Sequence, residues 1–84
     1  MWQAKVYVTL KPGVLDPQGK AVEQALKSLG YEQTQSVRLG KYMELELAAD
    51  SLDSAKTQLD EMCRKLLANT TIENYRFDLS EKKA

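Results

Sequence analysis

Lys11-Pro12-Gly13-Val14-Leu15-Asp16-Pro17-Gln18-Gly19 ends one element of the chain, turns and starts another. Asp16 before Pro17 reads as a helix N-cap followed by the first helical position. There the missing proline N–H costs nothing, and the aspartate oxygen accepts a bond from an orphan backbone donor. Gly13 supplies the turn that leads into the cap. The stretch also looks like a phosphate-binding loop, but its mechanics are broken. Such a loop needs four residues between Gly and Gly-Lys-Ser/Thr, so that backbone N–H groups cradle phosphate and a hydroxyl holds Mg²⁺. Here five residues separate Gly13 from Gly19-Lys20, Ala21 stands where the hydroxyl should be, and a carboxylate sits at the helix start, which opposes anion binding.

Upstream, Val6, Val8 and Leu10 alternate with Lys5, Tyr7 and Thr9, the pattern of a half-buried strand. Downstream, a helix is expected from Pro17 to about Leu29, with Val22, Ala25, Leu26 and Leu29 as its apolar stripe, an exposed Glu23–Lys27 pair, and Gly30 as the stop. A second helix opens near Asp50 or Ser51 and carries Leu52, Ala55, Leu59, Met62, Cys63, Leu66 and Leu67 on one face, about 17 residues in all. Ile72 to Leu79 then reads as a last strand using Tyr75, Phe77 and Leu79, and residues 80–84 read as a frayed tail.

Residues 35–48 admit two readings. A ferredoxin-like βαββαβ domain would fold them as two strands with Gly40-Lys41 at the turn, but that register sets Glu44 and Glu46 on the face of Val37 and Leu39 and buries charge. A three-residue loop, Gly40-Lys41-Tyr42, keeps the parity but puts its glycine first, where the common geometry wants it last. One long central strand over about residues 36–48, bent near Gly40, keeps Val37, Leu39, Met43, Leu45 and Leu47 on one face, and is the favoured reading. At ~3.3 Å per residue it would span roughly 40 Å, more than a small three-stranded sheet pairs. The surplus edge would be free for another subunit. A side chain at Gly40 is then expected to disturb association more than folding.

Composition narrows the chemistry. Eighty-four residues make a single domain, 1–84, that buries only about 60–65% of its unfolded surface, so association is an expected source of stability. Twelve basic and twelve acidic residues cancel, which leaves no field to draw nucleic acid or an anionic membrane. No apolar run approaches a membrane span, and the N-terminus lacks the apolar core of a signal peptide, so a cytoplasmic chain is expected. Histidine is absent, removing the commonest general base and metal ligand. Cys63 is the single cysteine and lies on an apolar helical face, where a thiol is a small buried hydrophobe. No catalytic residue, cofactor or metal site is expected.

Three blocks together resemble the PurS family, the small subunit of phosphoribosylformylglycinamidine synthase. They are residues 6–19 (VYVTLKPGVLDPQG), 37–42 (VRLGKY), and Leu66-Leu67-Ala68-Asn69 with Ile72-Glu73-Asn74-Tyr75. Thr70 departs from the pattern, since members often carry proline there. The resemblance implies an α+β fold of ferredoxin-like, PurS-like type, an antiparallel sheet with two helices on one face. It also implies a noncatalytic role. A large synthetase subunit (PurL) and a glutaminase subunit (PurQ) perform the glutamine- and ATP-dependent conversion of formylglycinamide ribonucleotide to formylglycinamidine ribonucleotide. PurS-like homodimers, in some members tetramers, help bring the two together for ammonia transfer.

The family-motif residues Lys11, Gly13, Asp16, Pro17, Gln18, Gly19, Arg38, Gly40, Lys41 and Tyr42 are the candidate interface positions. Each has a plainer reading. Lys11 and Asp16 would finish a turn and cap a helix, while Arg38 and Lys41 would keep an edge soluble. Tyr42 and Tyr7, opposite the apolar face, suit an interface because aromatic rings are enriched there. Trp2 would anchor a partner or fold back on the sheet. Glu44 and Glu46 imitate a catalytic pair, but a solvated or ion-paired face is the simpler account. The rival function is a small-molecule regulatory module of ferredoxin-like type. An RNA-binding sheet is opposed by the neutral charge and by glutamates on the polar face.

Overall fold

The computed structural model describes residues 1–82. Three strands, β1 (Trp2–Leu10), β2 (Gly40–Leu47) and β3 (Glu73–Glu81), alternate with two helices, α1 (Pro17–Ser28) and α2 (Leu52–Met62). The sheet is antiparallel in the order β2-β1-β3, with Val6 opposite Met43 on one side and Phe77 on the other. Period-two alternation places Ala4, Val6 and Val8 on the covered face, all fully buried. Met43, Leu45, Tyr75, Phe77 and Leu79 pack around them.

α2 covers that face. Ser51 caps it by accepting the Ser54 N–H at 3.1 Å, and its apolar stripe buries Ala55, Leu59 and Cys63 completely. Burial pushes the Cys63 thiol pKa up, so the residue is a packed hydrophobe, as its helical position implied. The Tyr75 hydroxyl donates to Asp60 at 2.6 Å and ties β3 to the helix. Trp2 folds back, its indole N–H donating to the Ala49 carbonyl at 3.2 Å. α2 ends in a five-residue π-helical turn, Cys63–Leu67, closed by the Ala68 N–H on the Cys63 carbonyl. The wider turn swings Leu66 off the expected stripe and leaves it 83% exposed.

Three expectations are corrected. Within the sheet the central strand covers Gly40–Leu47, not residues 36–48: its last pair with β1 is Thr9–Gly40, the Leu39 N–H is taken by Asp16, and β1 ends at Leu10, short of residues 36–38. The backbone bend falls at Ser36 (φ 59°), upstream of Gly40. Gly40 is needed instead because any Cβ there would strike the Val8 carbonyl, so a side chain at 40 disturbs the β1–β2 pairing and hence the fold. The tail is also shorter than expected. Ser80 and Glu81 belong to β3, Lys82 donates its N–H to the Met1 carbonyl, and the remainder, 83–84, lies outside the described residues.

The third correction concerns α1. Its stripe was expected to pack on the sheet beside α2, yet α1 packs substantially on none of the other elements. Val22 is 41% and Leu29 74% exposed. The molecule is accordingly long, 50 × 29 × 14 Å with a radius of gyration of 16.5 Å, where a compact chain of this length has about 12 Å. Adjacent antiparallel strands need only a two-residue turn. Here the chain between β1 and β2, residues 11–39, is an arm that leaves the sheet and returns to the same end.

Since the core rests on one helix, Leu59→Ala is predicted to lower unfolding free energy by about 2–5 kcal/mol. Leu15→Ser, at a position 80% exposed, is predicted to change it by no more than about 0.5 kcal/mol. Urea unfolding followed by circular dichroism separates the two.

Candidate functional site

The family-motif residues converge at the base of the arm, where the chain leaves β1 and re-enters at β2. Gly13 takes a left-handed φ of 87°, and the Val14 N–H closes the turn on the Lys11 carbonyl at 3.1 Å. Asp16 then serves two segments with its two oxygens. Oδ1 accepts the Gly19 N–H at 2.8 Å, capping α1, while Oδ2 accepts the Leu39 N–H at 2.9 Å from the returning strand. Pro17 opens the helix as its first residue, as its ring prefers. Gly19 is required by contact: a Cβ there would lie 2.5 Å from both Asp16 Oδ2 and the Val37 carbonyl.

Arg38 locks the opposite side. Its guanidinium donates to the carbonyls of Leu10 and Lys11 where β1 stops, the latter also accepting the Val14 N–H. Lys41 lies 3.6 Å from Glu73 across the sheet end. Gln18 lines a cleft of about 210 Å³ with Leu10, Leu39 and Gly40. The motif residues from Lys11 to Lys41 thus form one clasp around the arm's root. Tyr42 stands apart on the open face of the sheet, half exposed, its ring 5.2 Å from that of Tyr7. Its hydroxyl donates to Glu44 at 2.8 Å, and that bond to a carboxylate pushes the phenol pKa up to about 12.

Glu23 belongs to the clasp and was misread as an exposed helix pair. Its Oε1 accepts the Ser36 N–H at 2.8 Å, holding the one non-glycine residue with positive φ among those described. Its Oε2 faces Lys20 at 3.3 Å and Lys27 at 3.7 Å, and the residue is buried. Helical spacing showed Lys27 but nothing of Ser36, thirteen residues away. The Leu39 N–H, then the Gly19 N–H, hold the Asp16 carboxyl below its ordinary pKa, and the Ser36 N–H does the same for Glu23. Glu46 pairs with Lys82, and Glu44 accepts from Tyr42. The two glutamates are therefore part of a polar network.

What the clasp holds is a helix, so fold and site together define a three-stranded α+β domain with a clamped, projecting arm. The family model described as PurS, phosphoribosylformylglycinamidine (FGAM) synthase, matches residues 3–81. The PurS subunit of that synthase from Bacillus subtilis is 53% identical over 81 residues, 96% of this chain and 95% of its own. The crystal structure of Methanocaldococcus jannaschii PurS superposes with a TM-score of 0.86 at 32% identity, covering 99% of this chain and all of that one. A chain of the PurLQS structure from Thermotoga maritima gives 0.84 at 26% identity, covering 95% and 99%. The chain belongs to the PurS family.

The clasp carries a pH signature. Both carboxyls are held lower in the folded chain than in the unfolded one, so the unfolded state takes up protons first as the pH falls. Their stabilisation is complete above the unfolded carboxylate range and is lost as the pH drops through it toward the lowered folded values. Urea midpoints measured from neutral pH down through that range are predicted to fall less steeply for Asp16→Asn and Glu23→Gln than for the wild type. Both variants are predicted to be weaker than wild type at pH 7, where the lost carboxylate bonds matter most.

Proposed function

We propose that this chain is the noncatalytic PurS subunit of phosphoribosylformylglycinamidine synthase in purine biosynthesis, and that it acts as a cytoplasmic homo-oligomer. It bridges the synthetase and glutaminase subunits and supports ammonia transfer for glutamine- and ATP-dependent amidation. Full-length likeness to PurS subunits and to a chain of the PurLQS structure supports the placement in that complex. No group of three or more potential metal-ligating residues occurs among those described, and the sequence has no histidine. No helix among the described residues is long and apolar enough to cross a membrane.

The observation that carries the homo-oligomer is the bare stripe on α1. Across the molecule, Leu45, Met62, Leu66 and Leu67 line an apolar groove of about 460 Å³ between β2 and the end of α2. A helix with an apolar stripe and a groove with an apolar floor are complementary by the ordinary helix-in-groove mode. The clasp holds the chain's own helix away from its own groove, so the occupant that fits is α1 of a second copy, with the exchange made reciprocal by two-fold symmetry. Residues 36–39, unpaired in their own sheet, lie beside the exchanged helix and suit the partner's strand edge.

Two measurements test this reading. Leu26→Asp is predicted to reduce the mass by light scattering to that of a monomer while leaving the far-ultraviolet circular dichroism intact. In a reconstitution with the large synthetase and the glutaminase, glutamine-dependent amidation is predicted to fall at least tenfold when this chain is left out, while amidation from added ammonia persists. Equal glutamine-dependent rates with and without it would refute the bridging role.

A further inference from the structure

Two parts of this chain are held together by different forces. Of the described apolar residues that form the core or pack against it, none comes from the arm, residues 11–39. The sheet and α2 close on fully buried apolar groups, Val6, Val8, Leu59 and Cys63. The arm is closed by hydrogen bonds, and each one that joins its outgoing limb to its returning limb has a charged partner. Asp16 takes the Leu39 N–H at 2.9 Å, Glu23 takes the Ser36 N–H at 2.8 Å, and Arg38 reaches back to the carbonyls of Leu10 and Lys11.

These bonds are easily lost together. Those of Asp16 to Leu39 and of Arg38 lie at the surface, where water takes the place of either partner at little net cost. The Glu23 bond holds Ser36 at a φ of 59°, a conformation that relaxes once the bond is gone. Ser36, Arg38 and Leu39 are close neighbours in the chain, so losing one bond loosens the stretch that carries the others. α1 is then a lone helix of 12 residues, too short to persist in water without packing. The sheet keeps its own ties: the Lys11 N–H is bound to the Ile72 carbonyl at 2.8 Å, and β1 is paired on both sides.

We infer that the arm beyond Lys11 opens and recloses as one cooperative unit while the three-stranded sheet and α2 stay folded, with Asp16, Glu23 and Arg38 as its latch. Partial opening of this kind belongs to the parts of a fold that have few buried apolar contacts and solvent-exposed hydrogen bonds. A contact made through the stripe of α1 is then taken up or given up without unfolding the core. The inference does not rest on the homo-oligomer reading above. Any cover that a second copy gives α1 is lost when the arm opens and equally when the whole chain unfolds, so the order of the two events is the same for one copy or several.

Native-state amide hydrogen exchange, read residue by residue by nuclear magnetic resonance at neutral pH, tests it. Leu59→Ala is expected to speed exchange at core amides such as Val6 and Val8 roughly thirtyfold or more, and to leave the arm amides of Gly19, Leu29 and Leu39 unchanged, because their opening does not involve the core. Cys63→Ala, a milder change in the same core, is expected to show the same asymmetry and serves where Leu59→Ala does not fold. Asp16→Asn keeps one acceptor oxygen where two are used. It is expected to speed the arm amides roughly tenfold, and the core amides by a similar factor, because unfolding the core includes opening the arm. Core variants that speed arm and core amides alike would show a single cooperative fold and overturn the inference. So would an Asp16→Asn chain whose arm amides exchange like those of the wild type. Failure of the homo-oligomer reading shows elsewhere, as a wild-type mass already that of a monomer.

Discussion

One carboxylate does what neither strand nor helix could do alone. Asp16 uses one oxygen to start α1 and the other to hold the backbone of Leu39 as the chain comes back. Both bonds are to backbone donors that would otherwise be left without partners, and charge makes each of them stronger than a neutral bond. Around it, Arg38 satisfies the carbonyls at the end of β1, and Glu23 holds Ser36 in a left-handed conformation that the residue disfavours by itself. The root of a long excursion is thereby as well defined as a tight turn.

A defined root has consequences at a distance. α1 cannot lie on its own sheet while its first turn is tied to the returning strand, so its apolar residues stay in solvent and the core is built by α2 alone. A chain of this size has little surface to spare for burial. In the single chain the helix stripe and the apolar groove are left uncovered. Such an open fold accords with membership of a family of synthase subunits.

Much of this was legible in the chain. The alternation in β1, the aspartate-proline start of α1, the serine cap and stripe of α2, and the alternation of Tyr75, Phe77 and Leu79 are local patterns, and local patterns survive in the structure. The turn at Gly13 and the start at Asp16-Pro17 were legible because turn chemistry is also local, whereas the meeting of Asp16 with Leu39 and of Arg38 with Leu10 joins segments remote in sequence. Glu23 was misjudged because its decisive partner is a backbone N–H remote in sequence. Leu66 was misjudged because a π-turn shifts the register of a stripe that is regular in the sequence. The central strand was judged too long because its parity is genuine, Val37 and Leu39 continuing the apolar face, while pairing requires a neighbour that parity cannot supply.

The amino-acid sequence by itself determined the elements, the polarity of each face and the family, since all of these follow from residue identity and short-range spacing. The tertiary structure alone decided where α1 goes. An apolar stripe states that a helix must be covered and says nothing about what covers it. That choice was made by Asp16, Arg38 and Glu23 acting between segments far apart in the chain, where contact depends on the path of the backbone.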